Sequence, residues 1–340
     1  MSYWLFILIL MAVSVCLTGG LRYYALTRNL IDVPNARSSH SVPTPRGGGV
    51  AIVVTFVCAL LILLFLGEVS IANSLALLGS GVLVAALGFL DDHGHVAARW
   101  RLLGHFTAAV WALYWLNGLP AISVFSWVVS LGWIGNILAA VYLVWLLNLY
   151  NFMDGIDGLA SIEAICVCIG GAFLYFMMGE QTAMWPLLCL AATVAGFLFW
   201  NFPPARIFMG DAGSGFLGLI LGVFSLQAAW LQPKLLWGWL ILLGVFVVDA
   251  TYTLGRRLTR GEKVYEAHRS HAYQQASRKL SSHLSVTMSV FCINLLWLLP
   301  ISYAVTFLNL DGILGVVIAY TPLCLLAIKY NAGVDENKAA

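Results

Sequence analysis

Charged side chains are scarce in this sequence, since Asp, Glu, Lys and Arg make up 9% of its 340 residues and hydrophobic residues make up 61%. That balance lies far outside the range of soluble globular domains. The net charge of +2 is too small for the basic field that binds nucleic acid, so we expect no nucleic-acid partner. No repeat of fixed period and no low-complexity tract is found. These absences leave an integral membrane protein as the expected class.

The cysteines also indicate no catalytic or metal-binding role. The seven cysteines all fall inside apolar runs, where a thiol behaves as a small hydrophobe. Their spacing matches neither a disulfide framework nor a structural zinc site. We therefore expect neither thiol catalysis nor zinc.

Long apolar runs dominate what is present. A membrane span needs about 20 apolar residues, and eleven segments qualify. The sequence thus predicts an all-α polytopic membrane protein that forms one integral membrane domain over 1–340. The fourth segment is the weakest because His105 interrupts it, and 119–132 after it is apolar but strand-like. The segments are 3–21, 48–66, 71–90, 102–118, 133–150, 160–178, 184–200, 214–230, 236–254, 285–307 and 311–329.

The distribution of Lys and Arg predicts the orientation, because cytoplasmic loops retain these residues. Sixteen of the 17 fall in odd-numbered loops or in the carboxyl-terminal flank, and Lys234 is the exception. The amino terminus is therefore predicted to be outside, in the periplasm, and the carboxyl terminus in the cytoplasm. The longest polar stretch, 256–284, is predicted to be a cytoplasmic loop. The histidines fall in or beside the same loops, so we expect the chemistry to face the cytoplasm.

Asp91 and Asp92 are the first candidate pair. Neighbouring carboxylates repel each other, and at a membrane boundary this repulsion is poorly screened unless a cation or a donor offsets it. A shared divalent ion would offset it. The alternative is a solvated helix end with Arg99 and Arg101 as counter-ions, and both interpretations stay open.

The second candidate is the three-residue spacing of Asn148, Asn151, Asp154 and Asp157. On a helix this spacing puts successive polar groups on neighbouring positions of one face. The glycines within 155–158 would let the backbone approach a ligand closely. A tight turn capped by Asp and Asn would explain one or two of these residues. The full set predicts a polar face for a ligand or a metal.

The third candidate is Asp211, which lies among glycines just before an apolar run. Exposed N–H groups at a helix start suit phosphate oxygens, and a carboxylate there suits Mg²⁺, which prefers oxygen ligands. Phe208 could stack on a nucleobase. The alternatives are an N-cap role for Asp211 and simple packing for Phe208.

Histidines and one buried acid complete the candidates. His268, Arg269 and His271 lie on a basic loop beside several acids, which suggests an anionic substrate that a metal bridges to the acids. Positive-inside charge would explain the arginine but not the two histidines. Asp249 lies within the ninth predicted span, near its inner end, where a supporting role is favoured.

These motifs resemble the signatures of one family, the polyprenyl-phosphate N-acetylhexosamine-1-phosphate transferases of the WecA and MraY type. The HRSHAYQ form is most similar to that of the WbpL branch, which starts O-antigen synthesis in Gram-negative bacteria. The matching motifs are LDD (90–92), NLYNFMDGIDGLA (148–160), NFPPARIFMGDAGSGFLG (201–218) and AHRSHAYQQ (267–275).

The resemblance implies an enzyme of the bacterial inner membrane that is Mg²⁺-dependent, with Mn²⁺ as an alternative metal. Undecaprenyl phosphate would attack the β-phosphorus of a UDP-N-acetylhexosamine at the cytoplasmic face and release UMP. The product would start O-antigen or a related cell-envelope polysaccharide. Membrane lipid would surround the chain, and a homodimer is left open.

The same resemblance implies a role for each candidate residue. Asp91 and Asp92 would be catalytic, as base or as support for the metal. Asp211 and Asn151 would hold the metal. The remaining positions would bind the substrates: Asn148, Asp154, Asp157, Asn201 and Phe208 from the central motifs, His268, Arg269 and His271 within the loop 256–284, and His40 and Arg46, which would place cations at the nucleotide.

Two other functions are alternatives to this one. A phospho-MurNAc-pentapeptide transferase of the MraY type is the alternative within the family, and the missing HHH motif argues against it. A secondary transporter would place its polar groups near the midplane on broken helices in paired halves, whereas here they gather at one interface. The sugar stays open between N-acetylfucosamine, N-acetylquinovosamine and N-acetylglucosamine.

Overall fold

The fold is a bundle of long helices with two short hairpins. The computed structural model describes residues 3–34, 40, 42–94, 96–125, 127–262 and 268–334. The helices are α1 (Tyr3–Thr27), α2 (Gly49–Phe65), α3 (Ile71–His93), α4 (Ala98–Leu116), α5 (Gly132–Met153), α6 (Leu159–Met178), α7 (Gln181–Asn201), α8 (Asp211–Leu231), α9 (Pro233–Leu242), α10 (Gly244–Thr259), α11 (Ala272–Leu280), α12 (His283–Ile293), α13 (Leu299–Phe307) and α14 (Gly312–Lys329).

Each of the eleven predicted segments is helical over most of its length, which confirms the all-α polytopic class. Eight helices within the described residues are long and apolar enough to cross a membrane, and the bent pair α9–α10 brings the number to nine. The other two predicted spans are α2, which has 17 residues, and α4, which carries Arg99, Arg101 and His105 in its first half. The count of eleven stays a prediction.

The short strands lie in two antiparallel hairpins. Strands β1 (Ile31–Asp32) and β2 (Thr44–Pro45) pair in the loop between α1 and α2. Strands β3 (Ile122–Val124) and β4 (Trp127–Val129) pair between α4 and α5. The second hairpin confirms the strand-like character of 119–132.

Helix α8 lies at the centre of the bundle. In its apolar window 83% of residues are buried, against 22% in α1 and 28% in α14. It packs against α2, α3, α5 and α9. Because the start of α8 carries Asp211, this central helix carries that carboxylate to the end of the bundle where the polar loops meet.

Two irregularities interrupt the later spans. Helices α9 and α10 meet at an angle of 70°, and a π-helical turn (Asn294–Leu298) separates α12 from α13. The predicted polar loop 256–284 is partly helical, since α10 continues to Thr259 and α11 forms inside the loop. Residues 263–267 lie outside the described part.

Alternating helix directions gather the polar loops at one end of the bundle, the site end. Contacts across this end join distant parts of the chain, such as Arg46 to Asp92 and Asn201 to Gly158. Lys234 lies at the opposite end, where its Nζ donates to Asn309 at 2.9 Å. The uneven distribution of Lys and Arg between the predicted loops is therefore also an uneven distribution between the two ends of the folded bundle. Which end faces the cytoplasm stays a prediction.

Candidate active site

A cavity of about 280 Å³ opens at the site end. Of the fourteen residues that the sequence predicts, nine line it, and they come from four separate connections between helices: His40, Arg46, Asp92, Asn151, Asp154, Asp157, Asn201, Phe208 and Asp211. Asp91 lies beside the cavity. Asn148, His268, Arg269 and His271 do not line it.

Asp92 closes the start of α8. Its carboxylate accepts the backbone N–H groups of Asp211 at 3.2 Å and Ala212 at 3.3 Å. Gly210 has a φ of +80°, and a side chain there would put a Cβ 2.7 Å from Asp92 Oδ2. We expected the first N–H groups of this helix to receive phosphate oxygens. That expectation is wrong for these two N–H groups, because Asp92 already satisfies them.

The adjacent carboxylates of Asp91 and Asp92 have different partners. Asp91 accepts the N–H of Val96 at 2.8 Å and forms an ion pair with Arg101. Asp92 faces Arg46, with 4.0 Å between Arg46 Nε and Asp92 Oδ1. The repulsion is therefore offset by separate donors, and the pair needs no shared metal. The counter-ion interpretation is confirmed for Arg101.

Arg101 also connects this pair to Asp211. Its Nη1 lies 3.8 Å from Asp211 Oδ2, and the carboxyl groups of Asp91 and Asp211 contact each other. Arg99 instead stacks on the ring of Trp100, with 5.7 Å to the ring centroid. One arginine thus holds two carboxylates at the edge of the cavity.

The four polar residues at the end of α5 do not share one helical face. The helix ends at Met153, Asp154 is its C-cap with a φ of −83° and a ψ of 53°, and Asp157 follows in a turn. The side-chain amide of Asn148 donates to Val144 O within its own helix at 2.7 Å. The predicted four-residue face is wrong because the chain leaves the helix midway through it.

Asn151, Asp154 and Asp157 line the cavity, whereas Asn148 does not. Asn151 Oδ1 accepts the hydroxyl of Ser214, on α8, at 3.0 Å. The Asp154 carboxylate has no side-chain hydrogen bond with any other described residue. Burial raises the pKa of Asp154 well above its ordinary range, and the carboxylates of Asp211 and Asp92 raise it further. An arriving cation would relieve this repulsion.

Asp157 and Asn201 are held by the protein. Asp157 Oδ1 lies 3.2 Å from His283 Nδ1, and its Oδ2 accepts the N–H of Ala205 at 3.0 Å. Asn201 accepts the N–H of Gly158 and donates to Ile207 O, both at 3.0 Å. These contacts fix the backbone around the cavity. The two side chains therefore shape the site, although both also line it.

Phe208 lies where the cavity widens into a second one of about 640 Å³. The rings of Phe208 and His40 meet edge to face at 4.8 Å between centroids. Phe208 N donates to Pro45 O at 2.8 Å, and Phe208 O accepts the N–H of Gly48 at 2.9 Å. The backbone of Phe208 is thus held through both its N–H and its carbonyl by the segment 45–48.

The predicted histidines lie at the junction of α10 and α11, next to the cavity. Asp249 accepts His271 Nδ1 at 3.2 Å, the N–H groups of Ala272 and Tyr273 at 2.9 Å each, and the hydroxyl of Thr253 at 3.1 Å. Asp249 therefore caps the start of α11 from α10. This cap is a supporting role of the kind that the sequence predicts for Asp249. His271 is 1% exposed.

His268 stacks on His271 with 4.8 Å between ring centroids. Burial lowers the pKa of His268 to about 3, with His271 and Arg257 as further causes. His268 is therefore uncharged at neutral pH and offers a ring nitrogen rather than a cation. Arg269 accepts through its carbonyl from Arg278 at 3.0 Å.

Tyr273 joins this junction to the cavity. Its hydroxyl donates to Phe152 O at 3.0 Å, and a side chain at Gly155 would put a Cβ 2.1 Å from that hydroxyl oxygen. Gly155 lines the cavity, and its small size also admits Tyr273. The approach of a ligand to Gly155 stays a prediction.

Comparison with known proteins gives this architecture a family. The sequence profile of glycosyl transferase family 4 matches residues 74–229. A phospho-N-acetylmuramoyl-pentapeptide-transferase of Streptococcus pneumoniae is 30% identical over 250 residues, which cover 69% of this chain and 74% of the relative. The chain belongs to glycosyl transferase family 4.

Other family 4 relatives align over more of the chain. A probable undecaprenyl-phosphate N-acetylglucosaminyl 1-phosphate transferase of Bacillus subtilis is 29% identical over 297 residues, or 86% of this chain and 80% of the relative. A decaprenyl-phosphate N-acetylglucosaminephosphotransferase of Mycolicibacterium smegmatis is 29% identical over 311 residues, or 81% and 75%. The family predicted from the motifs is confirmed.

Three further residues line the cavity although the sequence did not indicate them as site residues: Asp32, Gln274 and His283. Gln274 Oε1 accepts the N–H of His271 at 3.2 Å. The three-residue spacing between a helix N-cap and position N3 is a sequence signal that could have indicated Gln274. His283 lies 126 residues from its partner Asp157, so no local spacing could have paired them.

Oxygen donors dominate the cavity. Asp211 and Asn151 line it together, and Mg²⁺ takes oxygen ligands while keeping positions for water and phosphate. Within the described ranges, no three His, Cys, Asp or Glu side chains are grouped as a metal cage. The unpaired carboxylate of Asp154 and its raised pKa fit a cation whose coordination a ligand completes.

An apolar groove of about 250 Å³ begins at the α10–α11 junction. Its lining comes from α10, α11, α12 and α14, and Asp249, Ala272 and Tyr273 lie at its polar end. The groove thus begins at the same junction that Tyr273 joins to the acidic cavity. A long apolar chain in this groove would have its head group near the junction.

Proposed function

We propose that this protein transfers an N-acetylhexosamine 1-phosphate from a UDP-sugar to undecaprenyl phosphate. The observation that carries the proposal is that one acidic cavity is lined by the ring of Phe208 and by Gln274, and that Tyr273, next to Gln274 in the chain, lines the apolar groove. A nucleotide, a diphosphate and a prenyl chain have these three chemistries. The names of the family 4 relatives, which are prenyl-phosphate sugar-phosphate transferases, support the same reaction class.

In the proposed reaction, an oxygen of the undecaprenyl phosphate forms a bond to the β-phosphorus of the UDP-sugar. The bond from that phosphorus to the bridging oxygen breaks, and UMP leaves with the electron pair. The attacking phosphate is already anionic, so alignment matters more than deprotonation. Arg46 and Arg101 would bring positive charge to the edge of the cavity, and Asp91 and Asp92 would align the acceptor side.

Asp211 and Asn151 are the proposed ligands of Mg²⁺, with Mn²⁺ as a substitute. When bound, the metal would offset the charge that develops on the departing UMP. Asp154 would bind next to the ribose and the phosphates. Asp157 and Asn201 would position the uridine site, and Phe208 would stack on the uracil. His268, Arg269 and His271 would approach the diphosphate and the sugar.

The proposal is tested with purified protein, undecaprenyl phosphate, Mg²⁺ and a panel of UDP-sugars. The panel contains UDP-N-acetylglucosamine, UDP-N-acetylfucosamine, UDP-N-acetylquinovosamine and UDP-MurNAc-pentapeptide. We expect UMP and a prenyl-diphospho-sugar from one of the first three and a rate lower by on the order of 10²-fold or more with an Asp211→Asn control. Activity with the muramoyl substrate alone would replace the proposal by the MraY-type reaction, which the Streptococcus relative makes the second candidate.

We further propose that the site end faces the cytoplasm of a bacterial inner membrane, where the product would start O-antigen or a related polysaccharide. The basic residues at this end support that orientation. A cysteine at Lys279, which is exposed at the site end, should react with an impermeant thiol reagent only after lysis. A cysteine at Glu180, at the other end, should react in intact cells. The reverse pattern would overturn the orientation.

A further inference from the structure

The bend between α9 and α10 creates unpaired backbone donors inside a membrane span. The first N–H groups of a helix have no partner within it, and hydrocarbon offers none. Glu163, on α6, is 0% exposed, and its carboxyl group lies beside the backbone N–H of Phe246 in the first turn of α10. A side chain from a neighbouring helix thus lies at the bend.

Asn294 is the second partner of this carboxyl group. Its Nδ2 donates to Glu163 Oε2 at 2.7 Å and to Val290 O at 3.1 Å. Both amide hydrogens are therefore used, and Asn294 is only 3% exposed. Two buried acceptor atoms remain without a partner, Glu163 Oε1 and Asn294 Oδ1.

These two unpaired atoms belong to the two side chains that are already joined by one hydrogen bond. An ionised carboxylate is acceptor-only, so it would leave both atoms unsatisfied and a charge inside the span. The ionisable neighbours of Glu163 are Tyr150, Tyr320 and Cys166, and none of them is a cation. A proton on Oε1 would convert one unpaired acceptor into the donor that the other needs.

We propose that Glu163 is a protonated carboxylic acid whose Oε1–H donates to Asn294 Oδ1. The two side chains then form a neutral acid–amide pair with two hydrogen bonds in a ring. The pair ties α6 to the π-helical turn through the hydrogen bond between Asn294 Nδ2 and Glu163 Oε2. The bend of the α9–α10 span thus lies against a protonated, uncharged carboxylic acid.

This pair acts on the active site through α10. Asp249 lies three residues after Phe246 and holds the start of α11 with His271. Glu163 is therefore a positioning residue for that junction, a consequence that rests on the proposed transferase function. The protonation state itself does not depend on that function.

Infrared difference spectroscopy tests the protonation state directly. The carbonyl stretch of a protonated carboxyl group should be present in the wild-type protein at neutral pH and lose intensity in Glu163→Gln. The exposed Glu180 provides the matched control, since Glu180→Gln should lose intensity in the ionised carboxylate bands instead. If Glu163→Gln also loses carboxylate intensity, the side chain is ionised and the proposal fails.

Thermal unfolding and turnover test the pair independently. Gln can donate to Asn294 Oδ1 and accept from Nδ2, so Glu163→Gln should keep the wild-type Tm and UMP release. Glu163→Leu and Asn294→Leu should each lower Tm, and the double variant should lose less than their sum. Loss of turnover in Glu163→Gln at an unchanged Tm would overturn the proposal. If the wild type releases no UMP, the transferase function fails, whereas the infrared and Tm results still decide the pair.

Discussion

The cavity and the α10–α11 junction treat their carboxylates in opposite ways. At the junction, Asp249 accepts four hydrogen bonds from His271, Ala272, Tyr273 and Thr253. In the cavity, Asp154 accepts none from the side chains and backbone that the structure describes, and it lies among other acids. The junction acid is satisfied by the fold, whereas the cavity acid still lacks a partner.

This difference separates two kinds of functional residue. A satisfied buried acid contributes stability, and its loss leaves donors unpaired. An unsatisfied acid among like charges costs stability, and its loss relieves repulsion. Measuring Tm and turnover together therefore tells which kind each residue is.

Asp211→Asn should give the largest effect on turnover. The change removes one anion from a crowded cavity and weakens the proposed metal site, so kcat should fall by on the order of 10²-fold or more. Tm should change little, because Asp92 and Asp154 lose a repulsive neighbour while the contacts of Asp211 with Asp91 and Arg101 become weaker. The measurements are UMP release across a Mg²⁺ series and thermal unfolding. Near-normal kcat with an unchanged Mg²⁺ requirement would remove Asp211 from the metal site.

Substitution of Asp91 and of Asp92 should give two different phenotypes. Asp91→Asn and Asp92→Asn should both lower kcat, by roughly 10- to 100-fold, because acceptor alignment would be lost. Asp92→Asn should lower Tm more than Asp91→Asn, because Asp92 accepts two N–H groups at the start of α8, whereas Asp91 accepts one N–H and its partner Arg101 keeps Asp211. Equal Tm values for the two variants would contradict the separate roles, and full kcat in both would contradict a role in the reaction.

The sequence predicts the positions of the helices better than it predicts the contacts between them. Hydropathy locates the helices, because burial in lipid imposes long apolar runs, and the residue types of 119–132 indicate its strand-like character. Alternating directions then bring the polar loops to one end without further information. Contacts such as Asp92 with the start of α8 or Asp157 with His283 join residues more than 100 positions apart. They depend on how helices pack, and no local spacing encodes them.

Asp249→Asn should combine a stability loss with a moderate loss of turnover. An asparagine at this position would present N–H groups to some of the donors that now meet carboxylate oxygens, and leaving buried donors unpaired costs about 1–3 kcal/mol. Thr253→Val is the matched control, since it removes one of the four donors and should cost less. An unchanged Tm for Asp249→Asn would contradict its role as the cap of α11.

Phe208→Ala should chiefly affect nucleotide binding. Loss of a stacked base costs about 1–3 kcal/mol, which corresponds to a rise in KM for the UDP-sugar of roughly 5- to 150-fold. Because stacking is present before and during the reaction, kcat should change little. Phe199→Ala is the control, since Phe199 packs on Trp200 outside the cavity. Wild-type affinity in Phe208→Ala would restore the packing interpretation.

The smallest effects should come from Asn148, and its comparison with Asn151 is the finest test of the site. Both lie on α5, three residues apart, but Asn148 bonds to its own helix whereas Asn151 accepts the hydroxyl of Ser214 and lines the cavity. Removing the Asn148 amide leaves Val144 O with its helical hydrogen bond, so Asn148→Ala should change stability by less than about 0.5 kcal/mol and leave KM unchanged. Asn151→Ala should raise the Mg²⁺ concentration needed for half-maximal turnover by roughly 10-fold or more. Equal effects of the two substitutions would mean that the end of α5 presents its asparagines to the ligand as one face after all.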